Sequence, residues 1–115
     1  MLESVTATAL ASALDGLSLR QRAIADNIAN INTPGYQAQR VQFEDALRAA
    51  IADGTGAAEA SVRRSLEPTR TNGNNVNLDT ETLSNIDTVL RFQFAAQALS
   101  GQATSISKAI GQASA

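Results

Sequence analysis

The stretch at residues 25–36 reads ADNIANINTPGY, and it closes the first apolar-periodic part of the chain. Pro34 disfavours the helical conformation at Thr33. Pro34 and Gly35 suit the two central positions of a type II turn, where glycine supplies the positive φ. Asn30 or Asn32 can adopt the left-handed conformation that ends a helix. Residues 25–36 are therefore predicted to stop a helix and to turn the chain.

Large apolar residues lead into this stretch and continue within it at intervals of 4, 3, 7, 4 and 3, and Gln21 fills the one slot without an apolar side chain. This is the heptad spacing of a helix-packing seam. Ser4 can cap the first turn, so a helix is predicted from about residue 4 to Asn30. The seam consists of Leu10, Leu14, Leu17, Ile24, Ile28 and Ile31.

A second seam of similar length lies near the other end of the sequence. Asp79 is a good N-cap, and Leu78 and Leu83 can pack across it as a hydrophobic staple. A helix over residues 79–110 is predicted, with its seam at Ile86, Val89, Phe92, Ala96, Leu99, Ala103, Ile106 and Ile110. The predicted fold is mainly α, with two long N- and C-terminal helices packed as a coiled-coil-like hairpin.

The middle of the chain, residues 36–76, is poor in large apolar side chains. Phe43 to Ala52 has helical spacing, Ser61 to Leu66 is a candidate strand, and Asn72-Gly73 favours a tight turn. We expect a poorly structured segment, flexible or weakly ordered, with a short helix or strands. The predicted division is therefore 1–35 for the N-terminal helix and its turn, 36–76 for the middle, and 77–115 for the C-terminal helix.

Composition excludes several classes of function. The 115 residues contain no His and no Cys, so triads and zinc sites built on them are impossible. The acidic residues are dispersed, and neither a catalytic residue, a metal site nor a cofactor is expected. The net charge of −2 with no basic stripe argues against nucleic acid. There is also no phosphate loop to hold a small-molecule substrate and no apolar run of membrane-spanning length. We expect no Sec-type signal peptide.

Residues 25–36 closely resemble the N-terminal signature of bacterial flagellar rod and hook proteins, which reads roughly Ala-x-Asn-Ile/Leu-Ala-Asn-x-x-Thr-Pro-Gly-Tyr. The block NNVNLDTE at residues 74–81 and the lack of an inserted β-domain are similar to the proximal rod members. The resemblance marks an assembly signature at Asn27, Ile28, Ala29, Asn30, Thr33, Pro34, Gly35 and Tyr36.

This resemblance implies a structural subunit of the flagellar basal-body rod that leaves the cytoplasm through the flagellar type III export apparatus. It implies helical assembly into the drive shaft in the periplasm. The implied partners are proximal rod subunits, the protein joining the rod to the MS ring, and the export apparatus. Two alternatives are another member of the rod family and a non-flagellar helical hairpin that associates with itself.

Two hypotheses concern single residues. The amides of Asn27 and Asn30, one helical turn apart, either fix the backbone of the turn or lock a neighbouring subunit. Phe43 and Leu47 resemble the Phe-x-x-x-apolar motif by which early flagellar substrates engage the export gate. The alternative for these two residues is a one-turn core contact of a short helix. The motif hypothesis predicts that Phe43→Ala reduces export without changing helicity.

Overall fold

The computed structural model of the protein describes residues 2–113, although within its helices the side chains at 2, 3, 105, 106, 109, 112 and 113 are not described. The chain forms helix α1 (Leu2–Ala29), strand β1 (Gln39–Gln42), helix α2 (Glu44–Ala52), strand β2 (Ser61–Arg64) and helix α3 (Leu78–Ala113). The molecule is elongated, 69 × 25 × 15 Å. The prediction of a mainly α fold, with two long helices packed together, is confirmed.

Helix α1 differs from the prediction at both ends. It already includes Ser4, so that residue lies within the helix and is not its cap. At the other end, Asn30 donates its N–H to the carbonyls of both Asp26 and Asn27, and Ile31 donates to Ile28. This tightening closes the helix without a left-handed residue. Among the described residues only glycines have positive φ, so the prediction for Asn30 or Asn32 is wrong.

The turn after α1 has the predicted form. The N–H of Tyr36 donates to the carbonyl of Thr33 across 3.2 Å, and Gly35 between them has φ +76°. These are the features of a type II turn with Pro34 and Gly35 at its centre. The turn directs the chain into β1.

Helix α3 begins one residue earlier than predicted, and its cap is Asn77 instead of Asp79. The side-chain oxygen of Asn77 accepts hydrogen bonds from the N–H groups of Asp79 (2.9 Å) and Thr80 (3.2 Å). Asp79 therefore lies in the first turn, where its negative charge favours the helix N-terminus. Helices α1 and α3 are antiparallel, because Glu81 at the start of α3 meets Asn27 near the end of α1. No helix in residues 2–113 is both long and apolar enough to span a bilayer.

The middle segment contains a short helix and two strands. Strands β1 and β2 pair antiparallel, with Gln39 opposite Arg64 and Val41 opposite Val62. Helix α2 starts directly after Phe43, and the chain leaves it through Gly54 at φ +83°. The division of the sequence at residues 35 and 76 stays a prediction.

A small apolar core lies where the middle segment meets the long helices. Leu17, Ala23, Val41 and Phe43 are buried there, and Phe92 of α3 packs against them. The Phe43 ring rests on Gly16, where an added Cβ would lie 2.5 Å from a ring carbon. The guanidinium of Arg20 covers the ring at 4.8 Å from its centre. Glycine at position 16 is therefore what allows the aromatic side chain to reach α1.

The two faces of α3 differ from the usual pattern of an amphipathic helix. The face toward α1 buries Glu81, Thr88 and Ala95, spaced seven residues apart, and the Thr88 hydroxyl is satisfied by the carbonyl of Ser84 at 2.6 Å. Large apolar side chains point away from α1 and are 53–74% exposed. We call this second set the outer stripe: Leu83, Ile86, Leu90 and Phe94.

The predicted seams are therefore only partly inside the protomer. Leu17 and Ile24 are buried, while half-buried positions are Leu10, Leu14, Ile31, Val89, Phe92, Ala96 and Leu99. Ile28, Ile86 and Ile110 are 37%, 54% and 64% exposed, and Ala103 is exposed as well. Because the Glu81–Thr88–Ala95 face contacts α1, α3 is rotated and carries Ile86 away from that contact. The side chain of Ile106 lies outside the described residues.

Candidate functional site

A buried polar cluster joins the end of α1, the start of α3 and the segment between them. We call it the clasp and define it by the side chains of Asn27, Arg40, Asn74, Asn75 and Glu81. Its asparagines and glutamate are all buried, and Asn27, Asn74 and Glu81 have no exposed surface. Buried polar groups are tolerated only when they are hydrogen-bonded, so the partners of each side chain determine what the cluster does.

Asn27 binds three segments at once. Its amide nitrogen donates to the Gln39 carbonyl (3.0 Å) and to a carboxylate oxygen of Glu81 (3.1 Å). Its oxygen accepts from the Gln39 N–H (2.8 Å) and from the Tyr36 hydroxyl (3.3 Å). The amide therefore extends β1 with a pair of backbone-like bonds and connects it to α3. The backbone that Asn27 binds is that of β1, after the turn. A contact of Asn27 with a neighbouring subunit stays a prediction.

Glu81 is the centre of charge in the clasp. One carboxylate oxygen accepts from Asn27, and the other lies 2.7 Å from the guanidinium of Arg40, which also reaches Glu67 at 3.4 Å. A buried carboxylate needs such partners, because an isolated charge in the interior is strongly disfavoured. Burial raises the pKa of the nearby Tyr36 hydroxyl, and the negative charges of Asp26 and Glu81 add to the increase.

Asn74 and Asn75 hold the segment that leads into α3. The amide nitrogen of Asn74 donates to the carbonyls of Asn30 (2.8 Å) and Thr33 (2.9 Å), which also accept the backbone N–H groups of the turn after α1. Asn75 accepts from the Ala38 N–H (2.7 Å) and donates to two carbonyls beyond β2, those of Ser65 and Glu67. The two neighbouring amides thus bind the turn after α1 on one side and the sheet on the other.

The remaining residues of the predicted assembly signature lie around the clasp. Asn30 is half-buried and makes local bonds, donating to the Asp26 carbonyl (2.8 Å) and accepting from the Thr33 hydroxyl (3.0 Å). Thr33, Pro34 and Gly35 form the exposed turn, and Tyr36 reaches back to Asn27. Ile28 and Ala29 point outward from α1 and are exposed. An assembly role for these side chains stays a prediction.

Sequence reasoning noted the 74–81 block but missed its function in the clasp, together with that of Arg40. Both the signature and the block are rich in Asn, a residue whose side chain can both donate and accept. That shared composition was the available signal that the two stretches bind each other. No group of acidic side chains in residues 2–113 is arranged to hold a metal ion. The clasp shapes the protomer.

Phe43 and Leu47, the predicted export motif, lie inside the fold. Phe43 is 6% exposed and belongs to the core, while Leu47 is half-buried against it. The N–H of Leu47 donates to the Phe43 carbonyl at 2.8 Å, which starts α2. This geometry is the one-turn core contact. The expectation that Phe43→Ala reduces export without changing helicity stays a prediction. Whether the export apparatus reads the motif is a separate matter.

An apolar groove runs between α1, α2 and α3 beside the core. It consists of two hollows of about 440 and 240 Å³ that share Leu10, Ala13 and Leu47 on their walls. Phe94 of the outer stripe borders the larger hollow, and Val5 and Ile51 lie in the smaller one. The groove and the outer stripe are two apolar surfaces that the protomer leaves uncovered.

Comparison with known proteins gives consistent matches. A model of the family described as "Flagella basal body rod protein" matches residues 8–37. The flagellar basal body rod protein FlgB of Escherichia coli is 32% identical over 113 aligned residues, which cover 78% of this chain and 81% of that protein. FlgB of Borrelia hermsii is 58% identical over 38 residues, or 33% of this chain, and FlgB of Bacillus subtilis is 44% identical over 46 residues, or 40% of it. These two matches span 28% and 36% of the length of the relatives themselves.

Proposed function

The chain belongs to the flagella basal body rod protein family, as a FlgB-type protein of the bacterial flagellar basal body, and we propose that it is a structural subunit of the proximal rod. In this role it packs against other rod subunits in a helical array that forms the drive shaft. Its function is mechanical and involves no catalytic step, no small-molecule substrate and no nucleic acid.

The observation that carries this proposal is the distribution of side chains on α3. The face toward α1 holds Glu81, Thr88 and Ala95, whereas the large apolar side chains of the outer stripe point to solvent. Burying a large apolar side chain contributes about 1.5–3 kcal/mol, and the isolated protomer leaves this free energy unused. An apolar helix face that stays exposed in the protomer is typical of a subunit that buries this face against neighbouring subunits.

The clasp supports the same role by defining the shape of the subunit. It connects residues up to 54 positions apart in sequence, such as Asn27 and Glu81, through bonds that are geometrically specific. A subunit that transmits torque needs a defined angle between its long helices. Satisfied buried polar groups provide such definition, because any other arrangement leaves them without partners.

The partners proposed are other proximal rod subunits and the protein that joins the rod to the MS ring. The proposed route is the flagellar type III export apparatus, which delivers the chain to a rod in the periplasm. The first experiment is a deletion strain, scored for motility and for rods in images of its basal bodies. We expect non-motile cells without complete rods, restored by the wild-type chain. Motile cells with intact rods would contradict the proposal.

Export has its own test, because Phe43 is also a core residue. Leu17→Ala is a matched control, since Leu17 is buried in the same cluster but lies outside the Phe43–Leu47 motif. Both substitutions are expected to destabilise the fold by about 3–4 kcal/mol. If the export apparatus reads the motif, secretion falls for Phe43→Ala and not for Leu17→Ala. Equal secretion of the two variants would leave Phe43 with a core role alone.

A further inference from the structure

Resting on the proposed function, we propose that the outer stripe of one copy lies in the apolar groove of a second copy of this chain. The stripe is Leu83, Ile86, Leu90 and Phe94, and the groove is the pair of hollows between α1, α2 and α3. The inserted surface, the outer stripe, and the receiving surface, the groove, are therefore different surfaces of each copy. Such a contact is heterologous, and it continues from copy to copy instead of closing.

The lengths of the two surfaces agree. The stripe runs from Leu83 to Phe94, which is roughly 16 Å along α3 at 1.5 Å per residue. The α1 wall of the groove runs from Val5 to Leu17, or roughly 18 Å by the same measure. The groove is thus long enough to receive the whole stripe. The stripe presents a side chain every three or four residues, the spacing with which a helix fills an apolar groove.

The exposed area favours a stripe-to-groove contact over a stripe-to-stripe dimer. Four large side chains, each half to three-quarters exposed, make a patch on the order of 400 Å². Two stripes facing each other would bury about 800 Å² in total and would leave both grooves open. A single stripe-to-groove contact is of similar size, but each copy makes two of them. A copy that uses its stripe toward one neighbour and its groove toward another covers both surfaces.

Charges at the edges of the two surfaces are complementary. By the 100° rotation per residue of a helix, Asp87 lies at the edge of the stripe on α3, and Asp79 lies in line with the stripe, one turn before Leu83. Arg91 lines the groove, and Arg48 lies one helical position from its α2 wall. In the protomer Asp87 pairs with Arg91 (2.8 Å) and Arg48 with Asp45 (3.3 Å). Both pairs are largely exposed and are worth little, so exchanging partners across an interface costs little.

Phe94 is shared by the two surfaces, because it ends the stripe and borders the larger hollow. The neighbour that receives the stripe and the neighbour that fills the groove must therefore meet along α3. This gives a chain of copies in which every α3 is covered on both sides. It also explains why α3 carries large apolar side chains on the side that its own α1 does not contact.

The test uses two variants, each of which disables one surface. Leu90→Lys places a charge in the stripe, and Ile51→Lys places one in the groove, both at positions about half exposed in the protomer. Asn85→Lys is the matched control, since Asn85 is exposed on α3 outside the stripe. Far-ultraviolet circular dichroism of the purified chains confirms that helicity is retained. Sedimentation at rising concentration then measures association.

We expect the wild type and Asn85→Lys to form a series of growing oligomers, and each lysine variant to remain monomeric with at least a tenfold weaker association. An equal mixture of Leu90→Lys and Ile51→Lys should form a complex of two chains that does not grow, because it contains one intact stripe and one intact groove. If Ile51→Lys alone still forms dimers, the contact is between stripes and the proposal is wrong. If the mixture stays monomeric while the wild type associates, it is also wrong.

Cross-linking provides a second readout that does not depend on the lysine variants. The sequence contains no Cys, so Leu90→Cys and Leu47→Cys introduce single thiols at the centres of the stripe and the groove. A short bismaleimide should join the two variants when they are mixed and neither variant to itself. Self-linking of Leu90→Cys would overturn the proposal. So would a wild type that is monomeric at every concentration, since another protein would then be the occupant.

Failure of this inference is distinguishable from failure of the proposed function. If the chain is needed for rods in cells but never associates with itself in solution, the proposed function stands and the stripe-to-groove contact is wrong. If the purified chain associates as described but the deletion strain still builds rods, the contact stands and the proposed function is wrong.

Discussion

The clasp and the outer stripe reverse the usual positions of polar and apolar side chains. In the clasp, Asn27, Asn74 and Glu81 have no exposed surface, and each of them has hydrogen-bond partners in other segments. In the outer stripe, Phe94 is 74% exposed and Leu83 is 69% exposed. The protomer uses directional bonds to define its own geometry and leaves non-directional apolar surface for its surroundings.

This difference shows how a small chain can have a defined arrangement of its helices and still leave apolar surface exposed. Hydrogen bonds add only about 0.5–1.5 kcal/mol each to stability, but an unpaired buried group costs more, so the clasp favours one arrangement of the helices. The hydrophobic effect is roughly proportional to area and does not specify register. A subunit that places its apolar area outside therefore gains most of its stability on association.

The largest effect is expected from replacing a phenylalanine by alanine in the core, compared with the same replacement in the outer stripe. Phe43→Ala removes a buried ring from the core and should lower the free energy of unfolding by about 4 kcal/mol. Phe94→Ala should change it by less than about 0.5 kcal/mol, because that ring is exposed. Urea denaturation followed by circular dichroism measures both. Similar losses for the two variants would mean that the outer stripe already stabilises the isolated chain.

The next effect compares two asparagines of the signature. Asn27→Ala removes the side-chain partner of the Gln39 N–H and of the Tyr36 hydroxyl and leaves Glu81 with Arg40 alone, so it should cost about 3 kcal/mol. Asn30→Ala removes local bonds at a half-buried position and should cost about 1 kcal/mol. Thermal unfolding of both variants tests this order. The reverse order would show that the turn, and not the clasp, holds the helices together.

Glycine substitutions in the two long helices give a smaller effect of opposite sign. Gly16→Ala forces a Cβ against the Phe43 ring and should destabilise the protein by about 1–2 kcal/mol. At Gly101 no described atom lies within 4 Å of the added Cβ, so Gly101→Ala should stabilise α3 by up to about 1 kcal/mol. The midpoint of urea unfolding reports both changes. Equal effects would mean that the close approach at Gly16 is relieved by movement of α1.

The smallest effect concerns acid. Burial raises the pKa of Glu44, but hydrogen bonds from Arg20 and from the backbone N–H groups of Glu44 and Phe43 outweigh it and leave the pKa below the ordinary 4.5. A lowered carboxyl pKa stabilises the fold above pH 4.5, and this contribution disappears as the pH falls through the folded-state pKa. Glu44→Gln should therefore reduce the loss of stability on acidification, and only slightly, since the side chain is 41% exposed. Unfolding midpoints at pH 7 and below pH 4 measure the difference.

Much of the fold was predictable from local sequence. The Pro-Gly pair identified the turn after α1, and apolar periodicity identified both long helices and α2. The cap of α3 was misplaced by two residues because Asn77 and Asp79 are both good caps, and the choice depends on which of them lies at the first free N–H groups. Helix ends are set by such small differences, whereas helix existence is set by many residues together.

The clasp was only partly predictable. Asn27 stood out because of its place in the signature, but Glu81 looked like an ordinary acidic residue in the first turn of a helix. A glutamate is rarely buried without a partner, and its partners Asn27 and Arg40 lie 54 and 41 positions away. Local periodicity contains no information about contacts at that distance.

The sequence by itself determined that the chain has two long helices joined by a turn and a short irregular middle, because backbone propensity and 3.6-residue periodicity are local properties. Only the tertiary structure decided which face of α3 meets α1. Both sides of that helix carry apolar side chains, Phe92 on the side of the core and the outer stripe on the other. The bonds of Glu81 to Asn27 and Arg40 select the side that meets α1, and the outer stripe remains exposed for a neighbour.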